Sequence, residues 1–121
     1  MKKFCSCLLL TLATPGLAQT PGFVGYWAEN ANWCQNAGEM GEEMPDLYEE
    51  EAIFGLEWSC EITSATPLFV GQSWAVKASC LDAGYAYQQS SILMITANDR
   101  LLVIDEFGKT TDMVRCAKKP D

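Results

Sequence analysis

Sixteen carboxylates, eight lysine or arginine side chains and no histidine set the chemistry open to this chain of 121 residues. Without an imidazole, the usual partnerships of nucleophile and base lack a member. A serine hydrolase would then need lysine as its base, and Lys77 shares an outward strand face with Ser73 and Ser79. Three polar residues on such a face are what any exposed strand carries, so no catalytic reading follows. A glycosidase would need two carboxylates flanking a cleft, whereas the acids here cluster where loops are expected. The expectation is a protein that is not an enzyme and uses no cofactor.

The acids are unevenly spread. Seven of them, Glu39, Glu42, Glu43, Asp46, Glu49, Glu50 and Glu51, fall within "EMGEEMPDLYEEE", and no lysine or arginine occurs between Lys3 and Lys77. Such an anionic half repels nucleic acid and anionic lipid, whose binding needs Lys and Arg. Oxygen ligands for calcium are plentiful around Glu39, Glu42, Glu43 and Asp46, but the spaced Asp-x-Asp-x-Asp-Gly loop is missing, and no metal site is expected. Two readings of the seven acids stay open: a solubilising loop, or a docking surface for a basic protein. The second makes all seven candidate partner-binding residues.

The chain's first stretch places it in a compartment. "MKKFCSCLLLTLATPGLA" joins a positive start to a short apolar run and ends on small residues, the pattern of an export signal cleaved after Ala18. Its apolar run is short for a bilayer span, and no later run resembles it, so no membrane association is expected after cleavage. Removing Lys2 and Lys3 with the signal moves the net charge from −8 to −10 and leaves residues 19–121 as one domain. The location expected is periplasmic or secreted. There, the four remaining cysteines, Cys34, Cys60, Cys80 and Cys116, read as two disulfides. Of the three pairings, spacing alone selects none.

The elements that must carry these residues are strands. In "GLEWSCEIT", Leu56, Trp58, Cys60 and Ile62 alternate with polar residues, and "QSWAVKASC" does the same with Trp74, Val76, Ala78 and Cys80. With "SATPLFVG" as the connection, the two form a hairpin that faces Cys60 towards Cys80. "LDAG" then turns, "YAYQQSSILMIT" is extended, "ANDR" turns, and "LLVIDEF" and "TTDMVRC" complete a meander. The tail, 116–121, is expected to fray. "FVGYWA" is extended as well. In a closed sheet first and last strands become neighbours, which would bring Cys34 to Cys116. Residues 36–51 read either as a short helix from Pro45 or as a strand, a turn at the glutamates and a lead-in; the extended reading is preferred because Ile53, Phe54 and Leu56 run on into a clear strand. Trp58 and Trp74 belong to the core, Trp33 covers a disulfide, and Trp27 and Tyr26 point to opposite faces. The fold expected is all-β, a small antiparallel barrel or rolled sheet.

Gly25, Trp27 and Cys34, then "GLEWSC", Cys80 ahead of Gly84, and the terminal Arg115-Cys116 pair resemble small exported proteobacterial proteins with four cysteines and no assigned activity. The resemblance implies an all-β fold and two disulfides. Through the Gly25-Tyr26-Trp27 opening alone, the chain is also similar to calycin-type barrels, which include lipocalins and bacterial inhibitors of proteases or lysozymes. The function expected is non-catalytic binding, in concrete form inhibition of a basic protein such as a lysozyme. The alternative is a carrier that holds a small apolar ligand among Trp27, Trp58 and Trp74.

Overall fold

The computed structural model describes residues 20–117; the expected export signal and the last four residues of the tail lie outside the described residues. Eight strands follow in order: β1 (Gly25–Ala28), β2 (Asp46–Tyr48), β3 (Ala52–Gly55), β4 (Trp58–Phe69), β5 (Ser73–Asp82), β6 (Tyr85–Ile95), β7 (Arg100–Asp105) and β8 (Thr110–Arg115). Each pairs antiparallel with the next, and β1 pairs with β8, so the sheet closes into a barrel. Eight strands enclose a lumen just wide enough to be filled by side chains or to hold one small ligand.

Period two determines what fills it. On β5, Trp74, Val76, Ala78 and Cys80 are buried while Lys77 is exposed, and Leu93, Leu101 and Met113 bring the inward residues of β6, β7 and β8 into the same core. Cys60 faces Cys80 in the β4–β5 ladder and is bonded to it. Cys34, in a 3-10 helix (Ala31–Asn36) capped by the Asn30 side chain, is bonded to Cys116 just past β8. That second bridge lies beside the seam where the barrel closes. The seam is short, with Trp27 opposite Arg115, Ala28 opposite Val114, and one further bond from the Cys116 N–H to the Tyr26 carbonyl. Cys116, expected to belong to a frayed tail, is therefore tied down.

The extended reading holds for 46–55, whereas Asn36 ends the 3-10 helix and 37–45 are turns and irregular chain. The glutamate turn separates β2 from β3, and β3 is a strand of its own: Leu56 and Glu57 form a tight hairpin to β4, Glu57 taking a φ of +61°. Gly55 is required there, because an added Cβ would overlap the Trp58 indole that lies on it. "SATPLFVG" is not a connection. Ser64 to Phe69 continue β4, with Pro67 at a break in register where a missing N–H is tolerated. The Ser73 face is also corrected. Its side chain is buried and its hydroxyl accepts from the Phe69 N–H at 3.2 Å, which removes it from Lys77.

Up-and-down connectivity gives the barrel two distinct ends. The residues before β1 and the turns 49–51, 70–72 and 96–99 lie at one, and the segment 29–45 and the turns 56–57, 83–84 and 106–109 lie at the other.

Candidate functional site

The first end is sealed by aromatic packing. Phe23 and Trp27 are fully buried, and Phe23 meets Trp74 edge to face with ring centroids 5.0 Å apart. The Trp27 indole N–H donates to the Phe23 carbonyl at 2.8 Å. Arg115 covers the seal: its guanidinium carbon lies 4.3 Å from the Trp27 ring centroid, and its nitrogens donate to Asp99 and to the Gly22 carbonyl. Gly25, at φ +144° and with Arg115 3.6 Å from where a Cβ would sit, lets the chain pass beneath that side chain.

The second end is open. A cavity of about 300 Å³ enters the lumen, lined by residues of β2, β3, β4, β6, β7 and β8 and by Glu29 just past β1. Its floor is apolar, with Leu93 and Met113, and Ile53 and Val103 add apolar wall; Trp58 stands at one side. The rest of the lining is polar: Glu29, Asp46, Tyr48, Gln89, Ser91 and Thr111. Here the alternation of the strands is inverted relative to a normal core. Asp46 and Tyr48 face the lumen while Leu47, between them, lies in an outward row with Tyr26 and Phe54. Likewise Gln89 and Ser91 share the inward side of β6 with Leu93, and Ile92 lies outside. Polar residues at positions a barrel would fill with aliphatic side chains conflict with folding alone and mark a place where function is to be sought.

Electrostatics sharpen the picture. Burial, reinforced by the negative charge of Glu29, raises the Asp46 carboxyl from 3.8 to about 6. Burial first, and then Asp46, pushes the Tyr48 phenol well above its ordinary value. Tyr48 is only 5% exposed, yet no group among the described residues hydrogen-bonds its hydroxyl, and the Asp46 carboxyl has no such partner either. The Gln89 carboxamide oxygen lies 3.7 Å from the Cys80 sulfur and 4.0 Å from that of Cys60, so the cross-strand disulfide forms part of the cavity's surroundings.

The seven acids singled out in the sequence do not form one surface. Glu39, Glu42 and Glu43 border a small surface depression with Asn36 and Met40, in the loop at the open end, where the Asn36 side chain holds the Glu43 carbonyl at 2.7 Å. Asp46 is inside the cavity, and Glu49, Glu50 and Glu51 occupy the turn at the sealed end. Glu29 and Glu57 join the open end instead. Sequence reasoning did not single out Glu29, Tyr48, Gln89, Ser91 or Thr111. For β6 the signal was available, since Gln89, Ser91 and Leu93 stand two apart. Among the described residues, no three acidic or cysteine side chains converge as a metal site would need. Compared with known protein families, curated proteins and solved structures, the chain gives no match.

Proposed function

We propose that this is a non-catalytic binding protein of an oxidising, extracytoplasmic compartment, periplasmic or secreted, that engages a basic protein such as a lysozyme through the open end of its barrel. One observation carries the reading. The loops of that end carry Glu29, Glu39, Glu42, Glu43, Glu57 and Glu106, of which Glu29 lines the cavity with Asp46, and the only cation in those loops is Lys109. The two remaining arginines are engaged elsewhere, Arg100 with Asp112 and Arg115 with Asp99. An anionic face of this kind accelerates encounter with a cationic partner and loses that advantage as salt is added. The two disulfides are consistent with the proposed compartment, and no helix among the described residues is long and apolar enough to cross a membrane.

The test follows from the split of the acids between the two ends. Binding to a lysozyme in low-salt buffer should weaken at least tenfold when Glu39, Glu42 and Glu43 become glutamine together. The same change at Glu49, Glu50 and Glu51 should matter little. No detectable complex at low salt, or equal losses from the two sets, would remove the reading. A second reading, a small-ligand carrier, draws on the cavity itself. Trp27 and Trp74 are packed into the sealed end, which leaves Trp58 as the tryptophan on the cavity wall and a polar lining that fits an apolar ligand poorly.

A further inference from the structure

We propose that the cavity at the open end is a receptor for one organic cation, an alkylammonium or guanidinium group held by Asp46 and Tyr48 beside the Trp58 indole. The proposal deepens the basic-partner reading and rests on it only where the cation is a side chain of that partner.

Three features converge on this chemistry. The first is size: about 300 Å³ has room for a small amine or the end of a lysine or arginine side chain. The second is the Tyr48 hydroxyl, almost wholly buried against the cavity and without a hydrogen-bond partner among the described residues. Buried polar groups are nearly always paired, so an unpaired one lining an open cavity points to a ligand that pairs it. The third is charge. Glu29 acts on Asp46 across the cavity mouth, and no cation among the described residues lines the cavity to offset the two. Water entering the cavity could bond the Tyr48 hydroxyl, but it would leave two neighbouring carboxylates uncompensated. An anion would worsen their repulsion, and a neutral ligand would leave it unchanged.

An ammonium group has three N–H donors. Asp46 and the Tyr48 oxygen can accept two of them, and the Ser91 or Thr111 hydroxyl is available for the third. The alkyl stem would lie along Val103 and Met113, and the Trp58 face adds attraction for the charge. Gly55 serves the same end, since it is the absence of a side chain there that seats the Trp58 indole at the rim.

The site should be proton-linked. The titratable groups facing Asp46 are Glu29, just past β1, and Tyr48 on its own strand; β3, β4, β6, β7 and β8 bring only neutral side chains to the cavity. With its carboxyl titrating at about 6, Asp46 is largely neutral at pH 5 and largely ionised at pH 7. The ionised fraction, and with it affinity for a cation, rises roughly tenfold between those values.

The experiment is a calorimetric titration of the disulfide-bonded protein with n-butylammonium chloride, and in parallel with 1-butanol, at low ionic strength. Saturable binding of butylammonium is expected, at least tenfold tighter than butanol and about tenfold tighter at pH 7 than at pH 5. Asp46→Asn should lower the affinity at least tenfold and Tyr48→Phe severalfold. Butanol binding as tightly as butylammonium, an affinity flat from pH 5 to 7, or an Asp46→Asn protein that binds as well as the parent would each overturn the proposal. The first two of these comparisons use the unmodified chain, so they stand even if a variant misfolds. Competition then identifies the source of the cation. If saturating butylammonium releases a bound lysozyme, a partner side chain enters the cavity; if the complex persists, the cavity serves free amines. Failure of any basic protein to bind would remove the surface reading while the butylammonium result stood.

Discussion

At the sealed end, the Trp27 N–H is bonded to Phe23, and Arg115, exposed above it, is held by Asp99, Gly22 and the Trp27 ring. Within the same barrel, a few residues along the same strands, Asp46 and Tyr48 turn inward with neither side chain paired among the described residues. Trp27 and Asp46 are direct neighbours in the β1–β2 ladder, so the two regimes meet across a single register position. The difference teaches that the sealed end supplies the stability on which the open end draws. An eight-stranded barrel has one lumen; side chains fill it from one end and leave it open at the other.

The largest effects should therefore come from whatever keeps the barrel shut below the cavity. Replacing Cys34 and Cys116 together by serine frees the ends of an 82-residue separation beside the short β1–β8 seam, which the loop-entropy model values at about 4.5 kcal/mol. The same change at Cys60 and Cys80, separated by 20 residues inside one of the two longest ladders of the sheet, should cost nearer 3 kcal/mol. Denaturant unfolding of the two double variants checks the order, and a reversed order would mean that the seam holds without its bridge. Trp27→Ala should cost about 3–5 kcal/mol by opening a large cavity beneath Arg115 and removing the bond to Phe23. A loss under 1 kcal/mol in the same assay would deny the sealed end its role.

Asp46→Asn should act in the opposite direction at neutral pH. Because the folded carboxyl titrates at about 6 instead of 3.8, the unfolded chain ionises first as pH rises, and the fold loses stability through that window. Below about pH 3 both states are protonated and the charge costs nothing; above about pH 6 nearly its full cost is present. Asparagine removes the charge, so the variant should be more stable than the parent at pH 7 by roughly 1–2 kcal/mol, allowing for solvent screening at the cavity mouth. That gain should shrink to nothing near pH 3, about a unit below the unfolded value. Thermal melts across this range decide it, and a variant less stable at pH 7 would place a stabilising partner on Asp46.

The same inversion explains what the sequence could reveal. β4 and β5 obey the rule that apolar residues face inward, so their alternation and the hairpin were readable from spacing, which brought Cys60 within reach of Cys80 without selecting the pairing, and the neighbouring first and last strands followed from closure. β2 breaks the rule. Its one aliphatic residue, Leu47, faces out, and the polar pair that matters faces in, so hydrophobic pattern alone assigns the three residues to the wrong sides. The acidic run compounded the difficulty, because a three-residue strand carries its two flanks to opposite ends of the barrel, a separation that no composition argument contains. Arg115 was read as half of a terminal motif, whereas its place above Trp27 depends on the β1–β8 register, which exists only once the sheet has closed.

The smallest expected effect is the most direct probe of the contrast between the ends. Removing a buried tyrosine hydroxyl that is hydrogen-bonded in the fold typically costs about 1 kcal/mol, because the bond is lost and its partner stranded. The Tyr48 hydroxyl has no partner to strand among the described residues, so Tyr48→Phe should change the stability of the free protein by no more than about 0.5 kcal/mol, in either direction. A butylammonium-saturated sample should behave differently. There, the parent gains stability on binding and the variant gains less, since a ligand stabilises only in proportion to its affinity for the folded state. A loss above 1 kcal/mol in the free protein would show that the hydroxyl is already satisfied, and the distinction between a paired end and an unpaired one would no longer hold.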